Sequence, residues 1–227
     1  MARLARWRRS PALPYVAVPA AFAVVLGCAV LAGEALKQAE TANGSTPLDS
    51  SITSWMVAHR DHVLTALARI LSAIGSQKVL APLAGIAAVL LLGRRRMVAA
   101  LWLAVAWGGA IGLYSLTKHF VLRPRPPAGI RLMTVSSSSF PSGHATQSLA
   151  TFAALAALAA VALAEVRSVP GIVLAIGLAA AVGWSRVYLG VHWSTDVFAG
   201  WLIGAAWVSS VLCLSRRATR APPSAEP

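Results

Sequence analysis

Six apolar runs, at about 13–33, 76–93, 98–117, 145–164, 170–191 and 197–214, constrain this chain more than any other feature. About 20 apolar residues, rising about 1.5 Å each, carry a helix across the hydrocarbon of a bilayer. Backbone N–H and C=O groups find no water there, and a helix satisfies them internally. The runs therefore predict an all-α fold, a six-span transmembrane helix bundle. Charged residues make up 12% of the chain, against about 25% in soluble domains. The second run is the weakest, because Lys78 lies near its start and must snorkel its ammonium to the interface. The first run exceeds the ~7–15 residues of a signal-peptide core, so it reads as a retained span.

The net charge of +13 raises the question of nucleic acid. The placement of the charge excludes it. Arg3, Arg6, Arg8 and Arg9 precede the first run, Arg94–Arg96 separate the second and third, and Arg216, Arg217 and Arg220 follow the last. Basic clusters beside spans mark the cytoplasmic side and meet anionic headgroups. The expected organisation is a basic cytoplasmic N-terminus (1–12), a six-helix membrane domain (13–214) and a basic, disordered cytoplasmic tail (215–227). The turn at Glu165–Arg167 then also falls inside. The 34–75 segment, the 118–144 loop and the turn near 192–196 fall on the outer face of a plasma membrane. Cys28 and Cys213 lie within apolar runs and read as small buried hydrophobes, not as a disulfide or a metal site.

The 34–75 segment is long for a connection. After a turn-like stretch at Thr41–Pro47, Ile52, Trp55, Met56 and His59 recur at helical spacing, as do Val63, Leu64, Leu67, Ile70, Leu71 and Ile74. The pattern predicts one or two amphipathic helices on the outer membrane surface, between the first two spans. A soluble loop packed over the bundle fits the same pattern.

Three polar motifs interrupt the apolar background. Asp196 is one of only seven acidic residues and stands between two apolar segments. An ionisable group at membrane depth needs a partner, and His192 is four residues earlier. If the turn is helical the two share a face. The carboxylate then takes the Nδ1 proton and leaves Nε2 free to attack. Taken alone, Asp196 also fits a cap or a plain ion pair. His144 follows Pro141-Ser142-Gly143 and opens an apolar helix, whose first N–H groups suit an anion. Lys118 and Arg125 flank Pro124, which stops the third span. Arg186 lies near the outer end of the fifth, where a guanidinium is costly unless it meets an anion. A basic stretch binding headgroups is the plainer reading of Lys118 and Arg125. Arg123 reads as a non-participant, and His59, His62 and His119 as interfacial or structural.

Together the motifs resemble the type-2 phosphatidic acid phosphatase superfamily, with its signature K-x6-R-P, P-S-G-H and S-R-x5-H-x3-D. Lys118 with Arg125-Pro126 matches the first part, Pro141–His144 the second, and Ser185-Arg186, His192 and Asp196 the third, with every spacing intact. The resemblance implies a membrane lipid phosphatase working without cofactor or metal. It casts His192 as nucleophile through a phosphohistidine, Asp196 as its orienting carboxylate and His144 as general acid and base. Lys118, Arg125, Arg186, Ser142 and the Gly143 amide would bind the phosphoryl oxygens. The implied partners are a lipid phosphate substrate and membrane lipids, with no oligomeric state specified. Candidate substrates are undecaprenyl pyrophosphate, phosphatidic acid and phosphatidylglycerophosphate. The first is favoured because similar bacterial proteins often recycle that carrier. A phosphate-binding or transport protein is the alternative, disfavoured by two histidines and a carboxylate at this spacing. Vanadium-dependent haloperoxidases share the motifs but are soluble.

Overall fold

A computed structural model describes residues 17–41, 44–162 and 169–220. The N-terminal arginines, the Glu165–Arg167 turn and the 221–227 tail lie outside the described residues. Among those described the fold is all-α, with eight α-helices and one 3-10 turn at Ala128–Ile130. The helices are α1 (Ala17–Gln38), α2 (Pro47–Ala58), α3 (His62–Ile74), α4 (Gln77–Gly93), α5 (Met97–Val121), α6 (Gly143–Ala162), α7 (Val169–Tyr188) and α8 (Ser194–Arg220).

Four helices have the length and apolarity to cross a membrane: α1, α5, α7 and the Ser194–Ser215 part of α8. Helices α3 and α4 meet the same test only as a pair, bent by 43° at their junction. Among the described residues the structure thus offers four or five spans, against the six expected from the sequence. Two of the six runs account for the difference. The 76–93 run forms a helix of only 17 residues, and it joins with part of the expected surface segment to make one bent unit. The 145–164 run forms α6, whose C-terminal end passes into residues outside the described ones.

Helix α6 lies at the centre, packed against α5, α7 and α8, with α1 outside α5 and α8, and α3 against α7. Trp207 anchors the largest core cluster, its Nε1 donating to Ala106 O at 3.0 Å. Helix α8 approaches α6 through Gly200 and Gly204, where an added Cβ would lie 2.8 Å from Ser142 O and 2.7 Å from Thr146 O. Small residues four apart are how membrane helices bring their backbones close.

The exposed surface is apolar and the interior partly polar. Val24, Leu31, Ile86, Val89, Val173 and Ile176 face outward, while Thr117, Thr146 and Thr151 are buried. That inversion suits a lipid solvent. Cys28 and Cys213 follow it, lying exposed on α1 and α8 rather than buried as expected. The two helices of the 47–74 segment are inverted in the same way. Leu48, Trp55, Val63, Leu67 and Ile70 face out, and Asp49, Thr53, Ala68 and Ser72 face the bundle.

Helix ends are fixed by local chemistry. Thr46 and Asp49 form a reciprocal capping box at α2, with Pro47 in the first turn. Asp61 caps α3 through Leu64 N. Helix α5 ends at Leu122, in the left-handed region at φ 51°, just before Pro124. Arg60, at the corner between α2 and α3, donates to Tyr188 O at the end of α7 (2.8 Å).

Candidate active site

The sequence-predicted site residues converge at one end of the bundle. Lys118 lies in the last turn of α5 and Arg186 in the last turn of α7. Gly143 and His144 open α6, and Asp196 lies in the first turn of α8. Arg125 comes from the loop between α5 and α6. That loop folds back on itself through Ser139 N to Arg123 O (2.8 Å) and Ser138 Oγ to Lys118 O (2.9 Å).

The His192–Asp196 pair forms, but not on a helix face. His192 precedes α8, and Asp196 reaches back from the first turn. Its Oδ2 accepts from Trp193 N at 2.9 Å, as an acid does in a capping box. The same oxygen meets His192 Nδ1 at 3.3 Å and accepts from Ser139 Oγ at 2.5 Å. On the far side of the ring, Arg125 NH1 lies 3.2 Å from His192 Nε2. Arginine is only a donor. Nε2 is therefore the unprotonated nitrogen, and Nδ1 carries the proton towards Asp196.

Burial, reinforced by the charges of Lys118, Arg125, Arg186 and His144, holds His192 well below the ordinary histidine range. The ring is neutral at physiological pH. The three cations act on both His192 and His144, so all five groups share one neighbourhood.

Each cation is oriented from behind. Lys118 Nζ donates to Ser138 O (2.5 Å) and Ser139 O (3.2 Å). Arg125 donates to Ser137 O (2.6 Å), to Ser138 O (3.2 Å) and to Val191 O. Arg186 donates to Ser72 Oγ of α3, while its Nε is buried without a partner. Ser142 N donates to Asp196 O (3.0 Å), and its buried Oγ also lacks a partner. Unpartnered buried donors are costly, and one of these two belongs to a cation. An oxyanion with several acceptor oxygens satisfies them. Gly143 has a separate reason to be glycine, since an added Cβ would touch the Tyr114 ring at 3.0 Å.

Arg123, set apart from the cation group in the sequence reading, has partners of its own. It is fully buried and bonds Asp196 Oδ1 (2.6 Å), Asp49 Oδ2 (2.9 Å) and Gly44 O (3.2 Å). Its Nε also makes a 2.5 Å ion contact with Glu40, without hydrogen-bond alignment. Asp49 was missed too. It accepts from Ser194 Oγ (2.7 Å) and Thr195 N (2.9 Å), capping α8 from another helix. The available signal was scarcity, because each buried acid in an apolar chain needs a partner.

Fold and site together define a helical membrane protein with a histidine–carboxylate pair facing a cluster of cations. The chain belongs to the PAP2 superfamily, whose profile matches residues 99–220. It is 32% identical over 153 residues to an undecaprenyl-diphosphatase of Sulfolobus acidocaldarius, covering 64% of this chain and 68% of that protein. It is 29% identical over 164 residues to phosphatidylglycerophosphatase B of Bacillus subtilis, covering 71% and 80%. In structure it resembles the crystal structure of a transmembrane PAP2-type phosphatidylglycerolphosphate phosphatase from Bacillus subtilis. The TM-score is 0.77 at 26% identity, covering 87% of this chain and 98% of that one.

Proposed function

We propose that this protein hydrolyses a lipid phosphate or diphosphate at the outer face of a plasma membrane, through a phosphohistidine on His192 and without a metal. The observation that carries the reading is the environment of His192, with Nδ1 turned to Asp196 and bare Nε2 facing Arg125. A phosphoryl group entering between Nε2 and the guanidinium meets nucleophile and counter-charge at once.

Nε2 attacks phosphorus, and the bond to the leaving oxygen breaks as His144 protonates that oxygen. Asp196 stabilises the positive charge on the ring. Lys118, Arg125, Arg186, Ser142 and the Gly143 amide hold the phosphoryl oxygens as charge builds on them. Water then attacks phosphorus, His144 takes its proton, and the N–P bond breaks to release phosphate and restore His192. The domain spans 13–214, with both termini cytoplasmic, as basic flanks favour.

Undecaprenyl diphosphate is the favoured substrate, ahead of phosphatidylglycerophosphate and phosphatidic acid. Support comes from the undecaprenyl-diphosphatase relative, with the phosphatidylglycerophosphatase relatives defining the second choice. The test is phosphate release in EDTA from each lipid by purified protein. His192→Ala is expected to lose about 10³-fold or more in rate, roughly 4 kcal/mol of barrier. Retained activity in that variant, or loss in EDTA, overturns the mechanism. The ranking of kcat/KM names the substrate.

A further inference from the structure

The buried ion cluster behind the site does a specific job. Arg123 faces three carboxylates, Asp196, Asp49 and Glu40, and is itself fully buried. Asp196 has two oxygens with unequal support. Oδ2 has three donors, from Ser139, Trp193 and His192, whereas Arg123 is the donor on Oδ1. The contact to His192, at 3.3 Å, is the longest of the four. Arg123 thus holds the oxygen of Asp196 that Ser139, Trp193 and His192 do not.

Arg123 is in turn held by residues 44–49, which lead into α2 and form its first turn. Asp49 takes NH2, Gly44 O takes Nε, and Thr195 Oγ1 bridges, lying 2.8 Å from both Arg123 NH1 and Asp49 Oδ2. Gly44 sits so close to the neighbouring Pro124 that a Cβ there would lie 2.2 Å from its ring. This segment is keyed to the motif loop on one side and to the start of α8 on the other.

We propose that Arg123 and Asp49 are positioning residues for the reaction. They hold Asp196, and through it His192, in register, and this makes the 44–49 segment a working part of the site. The proposal rests on His192 and Asp196 being the reacting pair. A merely structural strut lowers the folded yield and leaves the folded molecules fully active. A positioning device lowers kcat in molecules that are folded.

The experiment compares wild type with Arg123→Gln, Arg123→Lys, Asp49→Asn and the double variant Arg123→Gln/Asp49→Asn, each purified as a monodisperse full-length chain. Steady-state lipid phosphate release gives kcat and KM, and inorganic phosphate is used as a competing ligand. A displacement near 1 Å at a reacting group costs about 10²-fold, which is the loss expected in kcat for Arg123→Gln. Asp49→Asn is expected to lose about tenfold, since the guanidinium remains but loses an anchor. Arg123→Lys restores part of the rate, because a single ammonium lacks the fork that reaches both acids. The double variant is expected to match Arg123→Gln rather than multiply the losses. The inhibition constant of phosphate stays within about twofold, because Lys118, Arg125 and Arg186 are untouched.

Wild-type kcat in folded Asp49→Asn and Arg123→Lys overturns the proposal, as does a loss confined to KM and phosphate affinity. If Arg123→Gln fails to fold, those two milder variants decide. His192→Ala run in parallel separates the premises. An active His192→Ala sinks the phosphohistidine reading, whereas an inactive one beside a fully active Asp49→Asn sinks only the positioning role.

Discussion

Replacing Gly200 with alanine adds one methyl group at the closest approach of α8 to α6, and its effect follows from distances. The new Cβ lies 2.8 Å from Ser142 O, 3.0 Å from Ala145 Cβ and 3.1 Å from Thr146 Oγ1. Ser142 O cannot turn aside, because it already accepts from Thr146 N and Thr146 Oγ1, each at 3.0 Å. Ordinary contact begins near 3.4 Å, so the helices must part by about 0.6 Å. That separation stretches the bond from Ser142 N to Asp196 O from 3.0 Å to about 3.6 Å, beyond hydrogen-bond range. Overpacking costs ~1–3 kcal/mol, and the orphaned amide adds ~1 kcal/mol. The same shift moves Asp196 away from Ser142, Gly143 and His144. At about 10²-fold per ångström, the expected loss in kcat/KM is on the order of tenfold. Gly85→Ala is the control, since nothing lies within 4 Å of its added Cβ. It should leave both readouts at wild type or raise stability slightly. Tryptophan fluorescence on heating measures Tm, and phosphate release measures kcat/KM. Gly200→Ala with wild-type values for both would show that α8 is not seated against α6 in this register.

Acid stability should show two separate windows. His192 titrates well below the ordinary value of 6.5 in the folded protein, so the unfolded chain binds that proton first, and Tm should fall as pH drops below about 6.5. His192→Gln should remove this component and leave the rest of the profile. Burial alone would push Asp49 up, but bonds from Thr195, Ser194 and Arg123 outweigh it and hold the carboxyl at about 2, against an ordinary 3.8. Its contribution, roughly 2 kcal/mol, is present above about pH 4 and lost as pH falls towards 2. Asp49→Asn should flatten that lower window, and an unchanged profile would contradict the bonding described. Gly44→Ala places a Cβ 2.2 Å from Pro124 at a φ of +73°. It should cost about 2 kcal/mol or more and lower kcat with it, which Tm and phosphate release both report.

Composition and apolar runs made the helical membrane class legible, and the three motifs made the convergent side chains legible. Four of the six runs stand as span-length helices among the described residues. Hydropathy windows average over a helix, so they do not show that α6 turns a polar stripe of Thr146, Gln147, Ser148 and Thr151 into the bundle. The α3–α4 bend is likewise invisible to a window. Gly75 sits where a Cβ would strike Val182 at 2.2 Å, and Gln147 Nε2 holds its carbonyl at 2.9 Å. Both constraints come from residues distant in sequence. The amphipathic pattern of 52–74 was read correctly as helical, but pattern alone does not say which face looks inward. Asp49 and Ser72 show that the polar side does. The role of Arg123 was not legible because its three acids lie far away in the chain.

The spacing of the motifs has a simple topological cause. Helices α6 and α7 run out and back, so a motif opening α6 and a motif closing α7 return to the same end of the bundle. Helix α5 ends there and α8 begins there. That end therefore collects the C-terminal ends of α5 and α7 and the N-terminal ends of α6 and α8. Helix dipoles favour cations at the former and anions at the latter. Lys118 and Arg186 occupy the C-terminal turns, and Asp196 occupies an N-terminal one. The N-terminus of α6, with Gly143 and His144, remains open to an anion from outside the chain. Three cations line that opening, and the acids that balance Arg123 are drawn behind Asp196. Charge is thus sorted into a positive cup and a negative backing, with His192 on the boundary between them. On the mechanism proposed above, a phosphate entering the cup is drawn towards the bare Nε2, while the carboxylate behind the ring stabilises the positive charge that develops on it.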